Sequence, residues 1–312
     1  MKNTMDSLAI VIPAYKADFL DTTLKSIAQQ TNKQFTLYIG DDNSPDDLRS
    51  IIDKYQGKIK TVYHRFEENL GGSDLVKHWE RCIDLTKNEE WIWLFSDDDI
   101  MSPTCVDDFY KEIDNVNHYD LVRFNVKVID NTGNKLREIK YPQELSSKAL
   151  YTEKIAGHLE CFVVEYIFRR STYLKYNGFV KFDLAWGSDL ATWVNFGERN
   201  NILTLNSPGI SWRSSGVNIS TNYNPEILKR KVAALVNCLK WGEAKYPEKE
   251  VIAVNKRGLI SRLSSIGVSS KFSIGYNGVY LYSRNIKDYI LLTLNYCSYY
   301  CYKKLRNVFQ RN

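Results

Sequence analysis

No two cysteines in this chain have CxxC spacing. The six that occur (Cys82, Cys105, Cys161, Cys238, Cys297, Cys301) are scattered and have no histidine cluster beside them, which argues against a zinc site and fits a reduced, cytosolic setting. Gly-x-Gly-x-x-Gly and Walker-type loops are both absent, so nucleotide phosphates must be held by something other than a glycine-rich cradle. No apolar run approaches the ~20 residues of a membrane span. Met1 to Asp6 leads straight into a strand without the apolar core and cleavage site of a secretory signal, so no leader is expected. Neither sign of charge dominates: the net charge of +5 suits anionic substrates or a membrane surface but is too mild to point to nucleic acid. Repeats and low-complexity segments are missing as well.

What is present is ordinary globular material. The 312 residues are 44% hydrophobic and 25% charged, enough to bury one large core and carry an extension. Leu8 to Ile12 form a buried-strand run closed by Pro13, after which Leu20, Leu24, Ile27 and Ala28 recur at helical spacing. Phe35, Leu37 and Ile39 alternate as a second strand. The segment from Asp41 to Asp47 then supplies turn residues and a Ser-x-x-Asp helix start with Pro45 at the first helical position, and Leu48, Ile51, Ile52 and Tyr55 carry that helix. Lys58 to His64 is a weaker third strand, and Leu75, Trp79, Cys82 and Ile83 mark a third helix after Asn69-Leu70-Gly71-Gly72. Parallel strands need crossover connections, so three βα units before a fourth strand imply a mostly parallel sheet with helices on both faces.

The fourth strand is the most informative stretch. Trp91-Ile92-Trp93-Leu94-Phe95 has no polar member and ends in Ser96-Asp97-Asp98-Asp99. Such a run reads as a central strand buried on both faces, and ligands of open α/β sheets bind outside the carboxyl ends of such strands. Three adjacent carboxylates repel, and a divalent cation relieves the repulsion. The bland alternative is a solvated turn capping a helix that starts at Ser102-Pro103. Asp41-Asp42 falls at the equivalent end of strand two, and its bland alternative is an Asx turn. With Pro13-Ala14-Tyr15 ending strand one, the rim offers an aromatic plane beside a carboxylate able to accept a ring N–H, which is what a nucleobase site requires.

These residues resemble the family-2 nucleotide-sugar glycosyltransferases of the bacterial polysaccharide and lipopolysaccharide type. The resemblance rests on Ile10-Val11-Ile12-Pro13-Ala14-Tyr15, Gly40-Asp41-Asp42-Asn43-Ser44, Asn69-Leu70-Gly71 and Ser96-Asp97-Asp98-Asp99, and more loosely on Phe168-Arg169-Arg170, Gly178-Phe179 and Trp186-Gly187-Ser188-Asp189-Leu190. It implies a GT-A, Rossmann-like α/β fold and an inverting transfer. On it, Tyr15 lies against the base, with Pro13 and Ala14 beside it in the donor site, Asp42 accepts the ring N3–H of uracil, Asp97 sits near the ribose, Asp98 binds Mg²⁺ or Mn²⁺, and Asp189 is the general base. The usual Asp-x-Asp signature has Ser96 at its first position here, leaving Asp97 and Asp98 to carry the site. Locally, Gly187-Ser188-Asp189 also reads as a helix start, and Asp183 is a second candidate for the base.

Cations for the diphosphate are sought in the strand and polar loop from Ile210 to Ser220, with Arg213 as the phosphate contact because a guanidinium pairs with phosphate bidentately. Lys77 and His78 on the third helix are further candidates, and His64, His118 and His158 are isolated. Trp186 and Trp193 either stack on sugar rings or pack. From residue 221 the pattern turns helical, and the Tyr-rich tail from Asp288 ends in Lys303, Lys304, Arg306 and Arg311, which suits a membrane interface or a docked helix. The expected division is 1–220 for the catalytic domain, its halves 1–125 for nucleotide and 126–220 for acceptor, then a helical extension, 221–312. The expected activity is sugar transfer from a UDP-type donor to a glycan or lipid-linked acceptor, in the cytoplasm or at the inner face of its membrane. A metal-dependent sugar nucleotidyltransferase and a non-catalytic nucleotide-sugar or glycan-binding module are the alternatives.

Overall fold

The computed structural model describes residues 7–112, 116–216, 222, 224–269 and 272–309. Strands β1 (Leu8–Ala14), β2 (Phe35–Asp41), β3 (Thr61–Arg65) and β4 (Trp91–Leu94) alternate with helices α1 (Leu20–Ala28), α2 (Leu48–Asp53) and α3 (Leu75–Ile83). The β3-β2, β2-β1 and β1-β4 ladders are all parallel. All of β2 and β4 is buried: β4 is wholly apolar, as a central strand requires, and β2 buries Thr36 and Asp41 along with its apolar residues. Each large apolar side chain so covered contributes roughly 1.5–3 kcal/mol.

Two local expectations are corrected. Proline does not close β1, which continues to Ala14. Val11 O accepts from Phe95 N and Ala14 O from Asp42 N, so Pro13 faces the β4 side, beyond the last β4 rung at Leu94, where its missing N–H leaves no ladder bond unmade. Helix α2 is capped by Asp47, whose side chain accepts from Ser50 N. Ser44 instead donates its hydroxyl to Tyr15 O, and Tyr55 lies past the helix with its hydroxyl on Asp21 O.

Beyond β4 come β5 (Ile100–Met101), α4 (Cys105–Lys111), β6 (Leu121–Ile129), β7 (Lys135–Ile139), β8 (Glu144–Leu145), α5 (Ser147–Ala156), β9 (Tyr166–Arg169), α6 (Arg170–Lys175), α7 (Ser188–Phe196) and β10 (Ile202–Arg213). The 10-stranded sheet runs β3-β2-β1-β4-β9-β6-β10-β5, with β7 on β6 and β8 on β10. It is therefore mixed. β9 enters antiparallel between β4 and β6, so the parallel character expected from the βα alternation belongs to β3-β2-β1-β4 and to the β6-β10 pair. Aromatic stacking fills the seam: Trp93 on Phe124 and Tyr166 on Trp193, with centroids 5.1 and 4.8 Å apart.

The last helices are α8 (Pro225–Lys245), α9 (Lys249–Ser269), α10 (Phe272–Tyr282) and α11 (Ile286–Phe309). Two compact units divide the chain: Met1–Ser147 with Cys161–Val180 and Thr192–Gly216, and Lys148–Glu160 with Lys181–Ala191 and Val217–Asn312. In the second, buried Asn255 accepts from Tyr151 Oη (2.9 Å) and donates to Leu239 O (3.1 Å). Gly242 and Gly258 let α8 and α9 approach α5: a Cβ at either would lie 2.0 Å from the Tyr151 ring or 2.5 Å from Ile155 O.

Candidate active site

The three acids end β4 inside the rim. Asp97, Asp98 and Asp99 are 9%, 8% and 1% exposed, which removes the solvated-turn alternative. The next helix begins only at Cys105, after β5. Each carboxylate has its own setting. Asp97 Oδ2 accepts from Tyr15 N and Lys16 N, both at 2.8 Å, continuing the β1–β4 connection past Pro13. Burial pushes its carboxyl up to about 6, and the charge of Asp98 adds to the shift. Asp99 accepts from Ser96 Oγ and Arg213 N, each at 2.6 Å, while Thr23 donates to its carbonyl. Burial raises its carboxyl well above the ordinary value. Asp98 is also raised by burial, against which Lys16, Ser96 and Arg213 favour its charged form. Two of the three carboxylates are thus held by backbone donors from the segment after β1 and from the end of β10, and Asp98 is left under the charges of Lys16 and Arg213.

Arg213, the expected phosphate contact, is buried. Its Nε donates to Asp98 O at 2.8 Å, its Nη1 to Asp130 O and Asn131 O at 3.1 Å each, and the guanidinium lies 4.3 Å from the Phe19 ring centroid. In this structure it braces the acidic turn from behind. The rest of the expected diphosphate loop, 217–221, lies outside the described residues, as does Arg311. Lys16 is a cation the sequence did not single out, although it directly follows Tyr15. Its charge acts on both Asp97 and Asp98.

At the end of β2 the two acids separate in role. Asp41 makes the Asx turn, accepting from Ser44 N at 2.8 Å, and also from Tyr63 Oη at 2.6 Å. Asp42 reaches the other way. Its Oδ1 accepts from Leu70 N and its Oδ2 from Gly71 N, both at 2.8 Å, so the Asn69-Leu70-Gly71 motif is there to present two N–H groups. Arg81 Nη2 bonds the same Oδ1, and His78 Nδ1 lies 3.4 Å away. Arg81 is a second residue missed from the sequence. Its only signal is its position one turn after His78 on α3. His78 is buried and its pKa is lowered to about 4, chiefly by burial, so it is neutral at pH 7; Lys77 is exposed. Tyr15 is 41% exposed while its N–H and C=O are fixed by Asp97 and Ser44. Pro13 and Ala14 form the end of β1 beside it.

Asp189 belongs to the second unit, in the first turn of α7. Gly187 before it has φ +89°, and a Cβ there would lie 3.0 Å from Cys238 Sγ, so only glycine fits the turn easily. Ser188 Oγ accepts from Phe182 N at 2.9 Å and fixes the approach. Burial raises the Asp189 carboxyl, and the Lys154 charge opposes the rise. Asp183 differs: Arg230 grips it with two bonds of 2.8 and 2.6 Å and holds its carboxyl below the usual range. Trp193 is a fully buried packing residue. Trp186 is half-buried, with Lys231 Nζ 4.8 Å from its ring centroid.

A sheet with this strand order, carrying acids at the carboxyl ends of β2 and β4, defines the GT-A fold. The same fold is found in S. aureus TarS in complex with UDP-GlcNAc (16% identical, TM-score 0.60, 93% of this chain and 91% of that one). It also occurs in the mannosyltransferase PcManGT from Pyrobaculum calidifontis in complex with GDP-Man and Mn²⁺ (11% identical, TM-score 0.56, 95% and 83%). Residues 9–175 match Glycosyl transferase family 2, and the chain belongs to that family. An uncharacterized glycosyltransferase of Methanocaldococcus jannaschii is 28% identical over 175 residues, 53% of this chain and 58% of that protein. Validoxylamine A glucosyltransferase of Streptomyces hygroscopicus subsp. limoneus is 37% identical over 67 residues, 20% of this chain and 15% of that enzyme. The chain therefore spans less than two thirds of either relative.

Proposed function

We propose that this chain moves a sugar from a nucleoside-diphosphate donor, UDP before others, to a hydroxyl of a glycan or lipid-linked acceptor, with inversion and with a divalent cation held at Asp98. The observation that carries the reading is the unequal partnering of the β4 acids. Asp97 and Asp99 are engaged by Tyr15, Lys16 and Arg213 backbone N–H groups, which leaves Asp98 as the carboxylate to meet a ligand. No cluster of three or more His, Cys, Asp or Glu suited to a metal occurs among the described residues. That fits Mg²⁺ or Mn²⁺, which is commonly bound by one carboxylate with the remaining positions filled by diphosphate oxygens and water. Such a cation, when bound, offsets charge on the leaving diphosphate. The neighbour from Pyrobaculum calidifontis, in complex with GDP-Man and Mn²⁺, supports a divalent ion, and TarS in complex with UDP-GlcNAc supports a uridine donor.

The chain's own residues then divide the work. Tyr15 offers its ring to the base beside Pro13 and Ala14. Asp42 Oδ2, bonded by Gly71 N, keeps lone-pair capacity for the N3–H of uracil, and Arg81 holds that carboxylate in place. Asp97 sits on the ribose side. Arg213 positions the acidic turn. Asp189 takes the proton of the acceptor hydroxyl as the new bond to the anomeric carbon forms and the bond to the diphosphate oxygen breaks. Its desolvated setting raises its basicity, whereas Asp183 is held by Arg230. Family membership disfavours the nucleotidyltransferase alternative, and a dispensable Asp189 would favour the binding-module one. We place the reaction in the cytoplasm, peripheral to the inner face of the membrane.

The test is a hydrolysis and transfer screen across UDP-, dTDP- and GDP-sugars with Mg²⁺ or Mn²⁺, and with chelator. UDP-sugars are expected to turn over in metal only, an α-linked donor giving a β-linked product by NMR. Turnover unaffected by chelator would remove the metal, and an α-linked product would remove inversion.

A further inference from the structure

We infer that the outer face of α11, continued onto α10, is a docking surface for an anionic lipid bilayer. The inference rests on the peripheral placement of the transferase and assigns the surface and the lipid charge. The inner face of α11 is built for packing: Leu292 and Tyr296 are buried, and Asp288 is buried and paired with Lys256. The outer face is also apolar. Ile290, Leu294 and Leu305 are 54%, 64% and 60% exposed and share one side of the helix with exposed Cys301. Ile286 at its start and Tyr280 on α10 extend the stripe. A soluble monomer seldom leaves so long an apolar stripe in water without a use.

Charge selects the occupant. From Phe272 to Phe309 the only acid in the sequence is Asp288, and Lys256 already neutralises it. Lys287 and Lys304 are exposed and flank the stripe on the same helix; Lys303 is turned inward to Ser261 O and Ser265 Oγ. A second copy of this chain seated on the stripe would set these cations against their own kind. An anionic lipid surface meets them with opposite charge, while the stripe enters the acyl boundary. Tyr302, 56% exposed, has an amphipathic ring of the kind favoured at headgroup depth. No helix among the described residues is long and apolar enough to cross a membrane, so the contact lies in the interface plane.

The experiment is co-sedimentation of the full chain with phosphatidylcholine vesicles, alone or with roughly one third phosphatidylglycerol. Pelleting is expected with the anionic vesicles only, weakening as salt rises. Lys287→Glu with Lys304→Glu should lower the partition at least ~25-fold, since each cation near such a surface accounts for about fivefold. Ile290→Gln with Leu294→Gln should lower it by about tenfold or more while leaving circular dichroism unchanged, because both positions are exposed. A polarity-sensitive probe on Cys301 should shift to the blue on anionic vesicles. Equal pelleting with neutral lipid, or indifference to both double variants, overturns the proposal. So does a concentration-dependent dimer by light scattering that the Ile290/Leu294 variant abolishes without any vesicle binding. Pelleting does not depend on turnover, so a failed donor screen with intact pelleting would reject the transferase reading alone.

Discussion

Asp98, Asp189 and His78 each have a burial state that makes a measurable demand. Asp98→Asn removes the charge but keeps the shape, and no core packing depends on that carboxylate. Calorimetry should show metal-dependent UDP binding lost while the thermal melt stays near wild type; unchanged affinity would move the cation elsewhere. Asp189→Asn should slow single-turnover transfer ~100- to 10,000-fold with donor affinity almost unaltered. Because burial raises this carboxyl above the ordinary 3.8 and only the ionised form accepts a proton, the acid limb of kcat/KM should lie above 3.8 and vanish in the variant. His78 works in the opposite sense. Its pKa falls from 6.5 in the unfolded chain to about 4 in the fold, so between those values the unfolded state binds more protons and stability rises with pH. Acidification from 6.5 to 4 should therefore cost up to about 3 kcal/mol through this group. Urea titrations of His78→Gln should show a flatter pH dependence over that window.

Among the elements, β10 carries the constraint that fixes the acidic turn. Its register against β6 shifts between Leu205 and Ile210, and Gly209 closes the irregularity with φ +73°, its Cβ position 1.9 Å from Asn125 O. Gly209 O also accepts from Ser102 N and Cys105 Sγ at 3.1 Å each, tying the start of α4 to the sheet. The bulge sets which residue after it faces the β4 acids, because a one-residue slip in a strand turns every side chain over. Gly209→Ala should cost about 2–4 kcal/mol by urea denaturation and weaken metal–nucleotide binding as Arg213 is displaced. A loss under about 0.5 kcal/mol would mean that the loop absorbs the Cβ and that Arg213 is held by other bonds.

At the scale of the molecule, the two units are interleaved along the chain. Residues 148–160 and 181–191, which precede residue 220, belong with the C-terminal helices: Tyr151 bonds Asn255, Arg262 Nη2 bonds Lys154 O, and Asp183 pairs with Arg230. A chain stopped after residue 216 would leave those contacts unmade. It is expected to be insoluble or to lack a cooperative melt; a soluble, cooperatively folding fragment would show that residues 148–160 and 181–191 do not need the C-terminal helices.

Periodicity and local chemistry determined much of this protein. The apolar runs of β1 and β4, the alternation of β2, the three βα units and the two acidic strand ends are dictated by residues close in sequence, because strand patterning and turn chemistry are local demands. The family's motifs likewise lie within short stretches. Tertiary structure decided what depends on distant partners. It inserted β9 antiparallel between β4 and β6, a pairing that no spacing encodes. It turned Arg213 toward backbone carbonyls, and it set Arg81 on Asp42 and Lys16 beside Asp97 and Asp98. It also gave adjacent acids unequal partners, since the donors that hold Asp97 and Asp99 come from just after β1 and from the end of β10, more than eighty residues before and more than a hundred residues after them.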